Sequence, residues 1–310
     1  MRKGVVWLVL ANLLWSGNYI AGRVLAQAMP AFTLNAVRWS ISALILLLVM
    51  RFQQQTVPLV KAWRPLAWMG FLGMFVFSTL TYLGLRSIPA AQAGMLSGLI
   101  PVFILVAGIL LLHQRPSGRS WTGVGASVLG VIVLMWLGKG GHFRLSWGIV
   151  ELLLAAVAWA LYTVYGKRLD QRLSPLTLTA GSAVYGAVFS DIVAGFTYRS
   201  GSIHMTWLAW VCVLYVSTMA SVVAYWVWTA GVKQAGAEVA APFINLLPVW
   251  TVILGVILLH ERISSWEAIG GMLIVLGALF ASFKKQTTRS PESPEGVSLP
   301  AAGVDLHSQD

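Results

Sequence analysis

The chain has 310 residues, of which 58% are hydrophobic and only 10% charged, against about a quarter charged in a soluble domain. With a mean hydropathy of +0.78, that balance predicts a polytopic membrane protein rather than a soluble one. The net charge of +11 is carried by short loops and not by a basic face interleaved with aromatics, which argues against nucleic-acid binding.

Ten apolar runs are predicted to form membrane-spanning helices, over 5–27, 31–51, 65–84, 90–112, 119–137, 147–168, 175–198, 207–230, 238–259 and 264–283. Each is close to the ~20 residues that cross a hydrocarbon core. Pro30, Pro58, Pro65, Pro89, Pro116 and Pro175 fall at the joints, where a residue that cannot continue a helix belongs. The opening MRKGVVWLVLANLLW is basic and then apolar, like a signal peptide. Its apolar stretch exceeds a signal core and no small-x-small site follows, so it is read as a retained first helix. Residues 284–310 are polar and rich in Ser, Pro and Gly, and a disordered cytoplasmic tail is expected there. With the N-terminus inside, fourteen Lys and Arg fall on the inner side and five on the outer. The bias places both termini in the cytoplasm and the chain in the inner (plasma) membrane.

Helix one contains LLWSGNYIAGRVL, residues 13–25. Trp15, Asn18, Tyr19 and Gly22 recur at helical spacing, so they form one stripe. That stripe either lines a central cavity or, for Asn18, serves as interhelical glue worth ~0.6 kcal/mol; Tyr19 equally suits a neighbouring helix. Arg23 is near the outer end of the helix, within snorkelling reach of the interface. Arg38, some seven residues into helix two, costs at least ~2.5 kcal/mol on insertion scales if unpartnered. Asp191, at matching depth in helix seven, is the expected partner of Arg38 or of Arg23, and the pair is read either as structural or as an extracellular gate.

Ser78 and Tyr82 on helix three, with Tyr225 and Trp228 on helix eight, complete a candidate aromatic lining. Trp159, Tyr162 and Gly166 on helix six repeat the stripe of helix one. Pro101 and Pro248 are expected mid-helix in helices four and nine, where each deletes a backbone hydrogen bond and bends its helix. Breaks of that kind are tolerated where they line a cavity or permit hinging, a role also open to Gly22 and Gly166. Asn245 adds an amide beside Pro248. Glu238 starts helix nine, either as an ordinary N-terminal cap or as a proton-coupling group.

No catalytic constellation is present. Cys212 is the only cysteine, so neither an intrachain disulfide nor a thiolate cluster forms. His113 and His260 end helices without metal-ligand spacing, and no GxxxxGK[ST] occurs, so no metal, cofactor or ATP hydrolysis is expected.

The second half repeats the first. GILLLHQR (108–115) returns as GVILLHER (255–262), and the same offset of 147 matches Gly84 with Gly231, Pro101 with Pro248, Gly123 with Gly270 and Gly130 with Gly277. Near each start the offset is 144, matching Trp15 with Trp159, Asn18 with Tyr162 and Gly22 with Gly166. Five helices per repeat is an odd number, so the halves 1–138 and 147–283 must insert in opposite orientations, as in secondary transporters. The expected fold is thus an all-α membrane protein of ten transmembrane helices in two inverted five-helix repeats.

These features resemble the drug/metabolite transporter superfamily, and within it the EamA family. The resemblance rests on PVFILVAGILLLHQRPSGRSWTGVGASVLG, on PVWTVILGVILLHERISSWEAIGGMLIVLG, on the opening LLWSGNYIAGRVL and on TLNAVRWSISALIL. It departs at Gln114, where Glu261 is the repeat counterpart. The resemblance implies export of small metabolites, amino acids foremost, by alternating access. Aromatic walls with few charges suit a net-neutral, partly apolar solute; multidrug efflux and a passive channel are the alternatives. The partners expected are a small-molecule substrate and membrane lipid, and a monomer suffices.

Overall fold

The computed structural model describes residues 2–113, 116–136, 146–169, 173–198, 203–236 and 240–282, and all regular structure among them is helical. The helices are α1 (Arg2–Ala28), α2 (Ala31–Phe52), α3 (Trp63–Met69), α4 (Ser78–Ser87), α5 (Ala90–Ser97), α6 (Ile100–Leu112) and α7 (Gly118–Trp136). They continue as α8 (Trp147–Leu169), α9 (Pro175–Thr197), α10 (Trp207–Thr218), α11 (Ala224–Ala235), α12 (Leu246–Leu259) and α13 (Ser265–Ser282). Seven runs are long and apolar enough to cross a membrane: Lys3–Ala28, Ala31–Phe52, Trp63–Ser87, Ala90–Leu112, Trp147–Gly166, Pro175–Thr197 and Trp207–Ala235. Three more apolar helices, Ser120–Trp136, Phe243–Leu259 and Ser265–Phe280, are shorter. The tail 284–310 lies outside the described residues.

Local chemistry sets the helix ends. The Ser174 and Thr206 side chains accept from the Thr177 and Ala209 amides at 3.1 Å, capping α9 and α10. Ser264 and Glu267 exchange bonds in a capping box at the start of α13, which satisfies amides that have no partner within the helix. His113 and His260 adopt left-handed backbone, with φ of 51° and 53°, and stop α6 and α12.

Two interruptions recur at equivalent points. A π-helical stretch, Gly70–Phe77, joins α3 to α4, and a second, Met219–Val223, joins α10 to α11. The 147-residue offset places the second onto residues 72–76, inside the first. Such widened turns gather at functional positions. Helix four breaks between Ser97 and Ile100, and helix nine begins with the 3-10 turn Ala241–Asn245 before α12. Pro101 and Pro248, expected mid-helix, therefore stand in the first turns of α6 and α12, just after these interruptions. At Pro101 the missing N–H had no partner to lose.

Glycines set the closest helix contacts. A Cβ on Gly130 of α7 would lie 2.6 Å from the carbonyl oxygen of Gly270 on α13, and one on Gly277 would lie 2.7 Å from that of Gly123. Backbone thus meets backbone along this face, which only glycine permits. The main core gathers Tyr19, Leu25, Leu34, Tyr82, Leu96 and Val216, and packs α1, α2, α4, α5 and α10 around the middle of the molecule. Phe52, Trp147, Phe196 and Trp207 are more than four-fifths exposed at helix ends, positions that suit a membrane–water boundary.

Candidate functional site

The broken helices converge on one cavity of about 70 Å³, room for several waters or part of a small solute. Four wall residues come from the α5–α6 joint: Ser97, Gly98, Ile100 and Pro101. Four more come from the turn before α12 and its first residues: Ile244, Asn245, Leu247 and Pro248. Each of these is its counterpart's number plus 147, so the same four positions of both halves face the same space. A further pair, Trp15 and Trp159, is related by the offset of 144.

α1 supplies Trp15, Asn18 and Tyr19, α2 supplies Arg38, the first π stretch Phe77, and α11 Tyr225. The aromatic walls are braced from behind. Trp15 meets Tyr225 and Trp228 at centroid distances of 5.4 Å each. Trp159 meets Phe77 at 4.7 Å and stacks on Tyr162 at 4.9 Å. Tyr162 and Trp228 are therefore second-row supports, not wall residues. Tyr162 in turn lies over Gly73, where a Cβ would come within 2.5 Å of its ring.

Arg38 is buried, and its Nε donates to Ser221 Oγ while Nη1 donates to Tyr82 Oη, both at 2.8 Å. Tyr82 Oη reaches Asn18 Oδ1 at 3.1 Å, so Tyr82 stands behind the wall as a link between two wall residues. Ser78 is further back and accepts from Trp39 Nε1 at 3.2 Å. Gly22 gives room to two side chains of α4: a Cβ there would lie 2.9 Å from Tyr82 and Leu85. Gly166 makes the same allowance for the Met69 methyl at 3.1 Å. Both glycines serve close packing.

The Arg38–Asp191 pair does not form. Asp191 is exposed and receives the Ser40 hydroxyl at 3.0 and 3.1 Å. Ser40 is two residues beyond Arg38, roughly 200° around the helix, so α2 shows Asp191 its other face. Arg23 instead donates to the Leu85 carbonyl. Asp191→Asn is accordingly expected to change stability by no more than about 0.5 kcal/mol and to leave transport unchanged, as measured by thermal unfolding and flux. Glu238 lies outside the described residues.

Four wall residues are not singled out in the sequence, Phe77, Gly98, Ile100 and Leu247, while Ser97 and Ile244 are expected there only through the carbonyls that Pro101 and Pro248 free. A usable signal exists for Gly98. Once Pro101 and Pro248 are paired by the repeat, the residues three and four before each fall on the same helical face.

The EamA-like transporter family model matches residues 2–136 and again 146–283. The chain belongs to the EamA-like transporter family. The EamA relatives include "Uncharacterized transporter YetK" of Bacillus subtilis, 26% identical over 94% of this chain and 90% of its own length. Another is the "Probable amino-acid metabolite efflux pump" of Escherichia coli, 22% identical over 89% of this chain and 93% of its own. A solved crystal structure shares the fold with a TM-score of 0.67, covering 91% of this chain and 97% of that one at 24% identity. The chain is thus a multi-pass transporter of the EamA family.

Proposed function

We propose that this EamA transporter is a secondary carrier that exports small metabolites, amino acids or their close relatives, from the cytoplasm across the inner membrane. It works by alternating access between two inverted five-helix repeats. The observation that carries the reading is the cavity wall, where four positions of one half and the same four of the other face one space. Reciprocal glycine contacts support it. Gly130 meets Gly270 while Gly123 meets Gly277, and the repeat exchanges one contact for the other, as a local two-fold requires. The two family matches fall one on each half. A site at the meeting of inverted repeats, lined by interrupted helices, is where such carriers hold their solute.

The test is counterflow in proteoliposomes loaded with an unlabelled amino acid and given a labelled one outside. Saturable accumulation is expected for an aromatic or branched member. Trp159→Ala should weaken apparent affinity roughly tenfold or more, as truncating an aromatic anchor does, at unchanged protein levels. Flux that does not saturate and ignores internal solute would replace the carrier with a channel.

A further inference from the structure

Arg38 is the one fully charged side chain on the described cavity wall. The four acids among the described residues are all engaged elsewhere. Asp191 takes Ser40, Glu261 takes the Ala90 and Ala91 amides, Glu267 takes Ser264, and Glu151 faces Arg86. A guanidinium has five N–H groups. The two bonds to Ser221 and Tyr82 leave Nη2 with no hydrogen-bond acceptor among the described residues, while the guanidinium lies over the rings of Trp39 and Tyr82 at 4.8 and 5.7 Å.

Proton accounting then fixes the neighbouring amide. Arg38 can only donate, so Tyr82 Oη accepts from it and must give its single hydrogen to Asn18 Oδ1. The Asn18 oxygen is thereby committed, and the Nδ2 group, which no described residue accepts from, is left for the cavity. The polar end of the cavity thus offers two NH₂ groups and one positive charge, with no anionic acceptor beside them. A buried guanidinium without a counter-ion is a strained arrangement unless a ligand supplies the charge. One guanidinium matches a monoanion, whereas a dianion would leave net negative charge in a low-dielectric site.

Resting on the carrier reading above, we propose that Arg38 and Asn18 form the receptor for the carboxylate of the transported solute, and that an amino group on the solute is dispensable. The carboxylate accepts from Arg38 Nη2 and Asn18 Nδ2. Its apolar remainder lies between Trp15, Trp159, Phe77 and Tyr225. An ammonium group meets no carboxylate here and gains only the ring faces, so simple aromatic monocarboxylates are ligands as good as the matching amino acids.

The experiment uses the purified full chain in detergent and four probes with one ring in common: 3-phenylpropanoate, phenylalanine, phenylalanine amide and phenethylamine. Ligand-induced thermal stabilisation at neutral pH reads their apparent Kd values. The two carboxylates are expected to bind at least tenfold tighter than the amide and the amine, and Arg38→Gln to abolish that separation while Arg38→Lys keeps part of it. Asn18→Asp is the second variant, needed if Arg38→Gln does not fold. It keeps an acceptor for Tyr82 but places a carboxylate beside Arg38, and should lose the preference too. Amide or amine binding as tightly as the acids, a preference that survives in either variant, or no binding by any probe would overturn the inference. Counterflow with the same probes separates the two readings. Carboxylates that bind without counterflow overturn the carrier and keep the receptor; counterflow by the amide alone overturns the receptor and keeps the carrier.

Discussion

Tyr82→Phe is expected to weaken solute binding by roughly one to two orders of magnitude while the protein still folds. The ring is fully buried and packs against Gly22, and phenylalanine preserves that packing. Only the hydroxyl goes, and with it the sole link between Arg38 Nη1 and Asn18 Oδ1. A buried donor left unmatched costs about 1–3 kcal/mol, and each 1.4 kcal/mol is tenfold in a dissociation constant. The loss should appear in the unfolding midpoint as well as in KM or Kd, because the unmatched donor is present with or without solute, while the freed Asn18 amide rotates and no longer holds Nδ2 towards the solute. Equal affinity in Tyr82→Phe would show that Arg38 and Asn18 are positioned by their own helices alone.

How much of this was legible in the sequence depends on the kind of signal. Helices bounded by chemistry were read closely. The second was expected over 31–51 and spans Ala31–Phe52, the seventh over 175–198 and spans Pro175–Thr197, because Pro30 and Pro175 mark their starts. The fourth was expected unbroken over 90–112, yet it parts after Ser97. A run apolar on all sides has no periodicity to show where it breaks, and the π turns are hidden for the same reason. Trp15, Asn18 and Trp159 were found on the wall because a repeat and a helical spacing both pointed to them. Arg38 stands out in the sequence as a buried charge, but its partners are not the acid of matching depth. Matching depth cannot say which way α2 is rotated, and its true partners, Tyr82 and Ser221, stand 44 and 183 residues away. Pairings of that range come from packing alone.

The departure at Gln114 and Glu261 gains a physical meaning from the fold. Glu261 follows the left-handed end of α12, and its two carboxylate oxygens accept the Ala90 and Ala91 amides at 2.7 Å each. The carboxylate of the second half thereby caps the start of α5 in the first, where it meets two unpaired N–H groups and the positive end of the helix dipole. Gly255 makes room for it, since a Cβ there would lie 2.8 Å from Glu261 Oε2. The GVILLHER segment is in this way a clamp between the two broken helices that line the cavity. Glu261→Ala should cost about 0.5–2 kcal/mol, the usual range for losing a side-chain cap. That corresponds to a fall of roughly 2–4 °C in Tm per kcal/mol for a chain approaching this size. Glu261→Gln should fall between, because its amide offers one acceptor in place of two. A coupling measurement makes the assignment strict. Ala90→Pro removes one of the two amides at a first helical position whose backbone suits proline, and the cost of its ring at this buried site cancels in the comparison. Glu261→Ala should therefore cost about half as much in that background as in the parent. An undiminished cost would mean that Glu261 acts through its charge on the helix dipole and not through the two bonds.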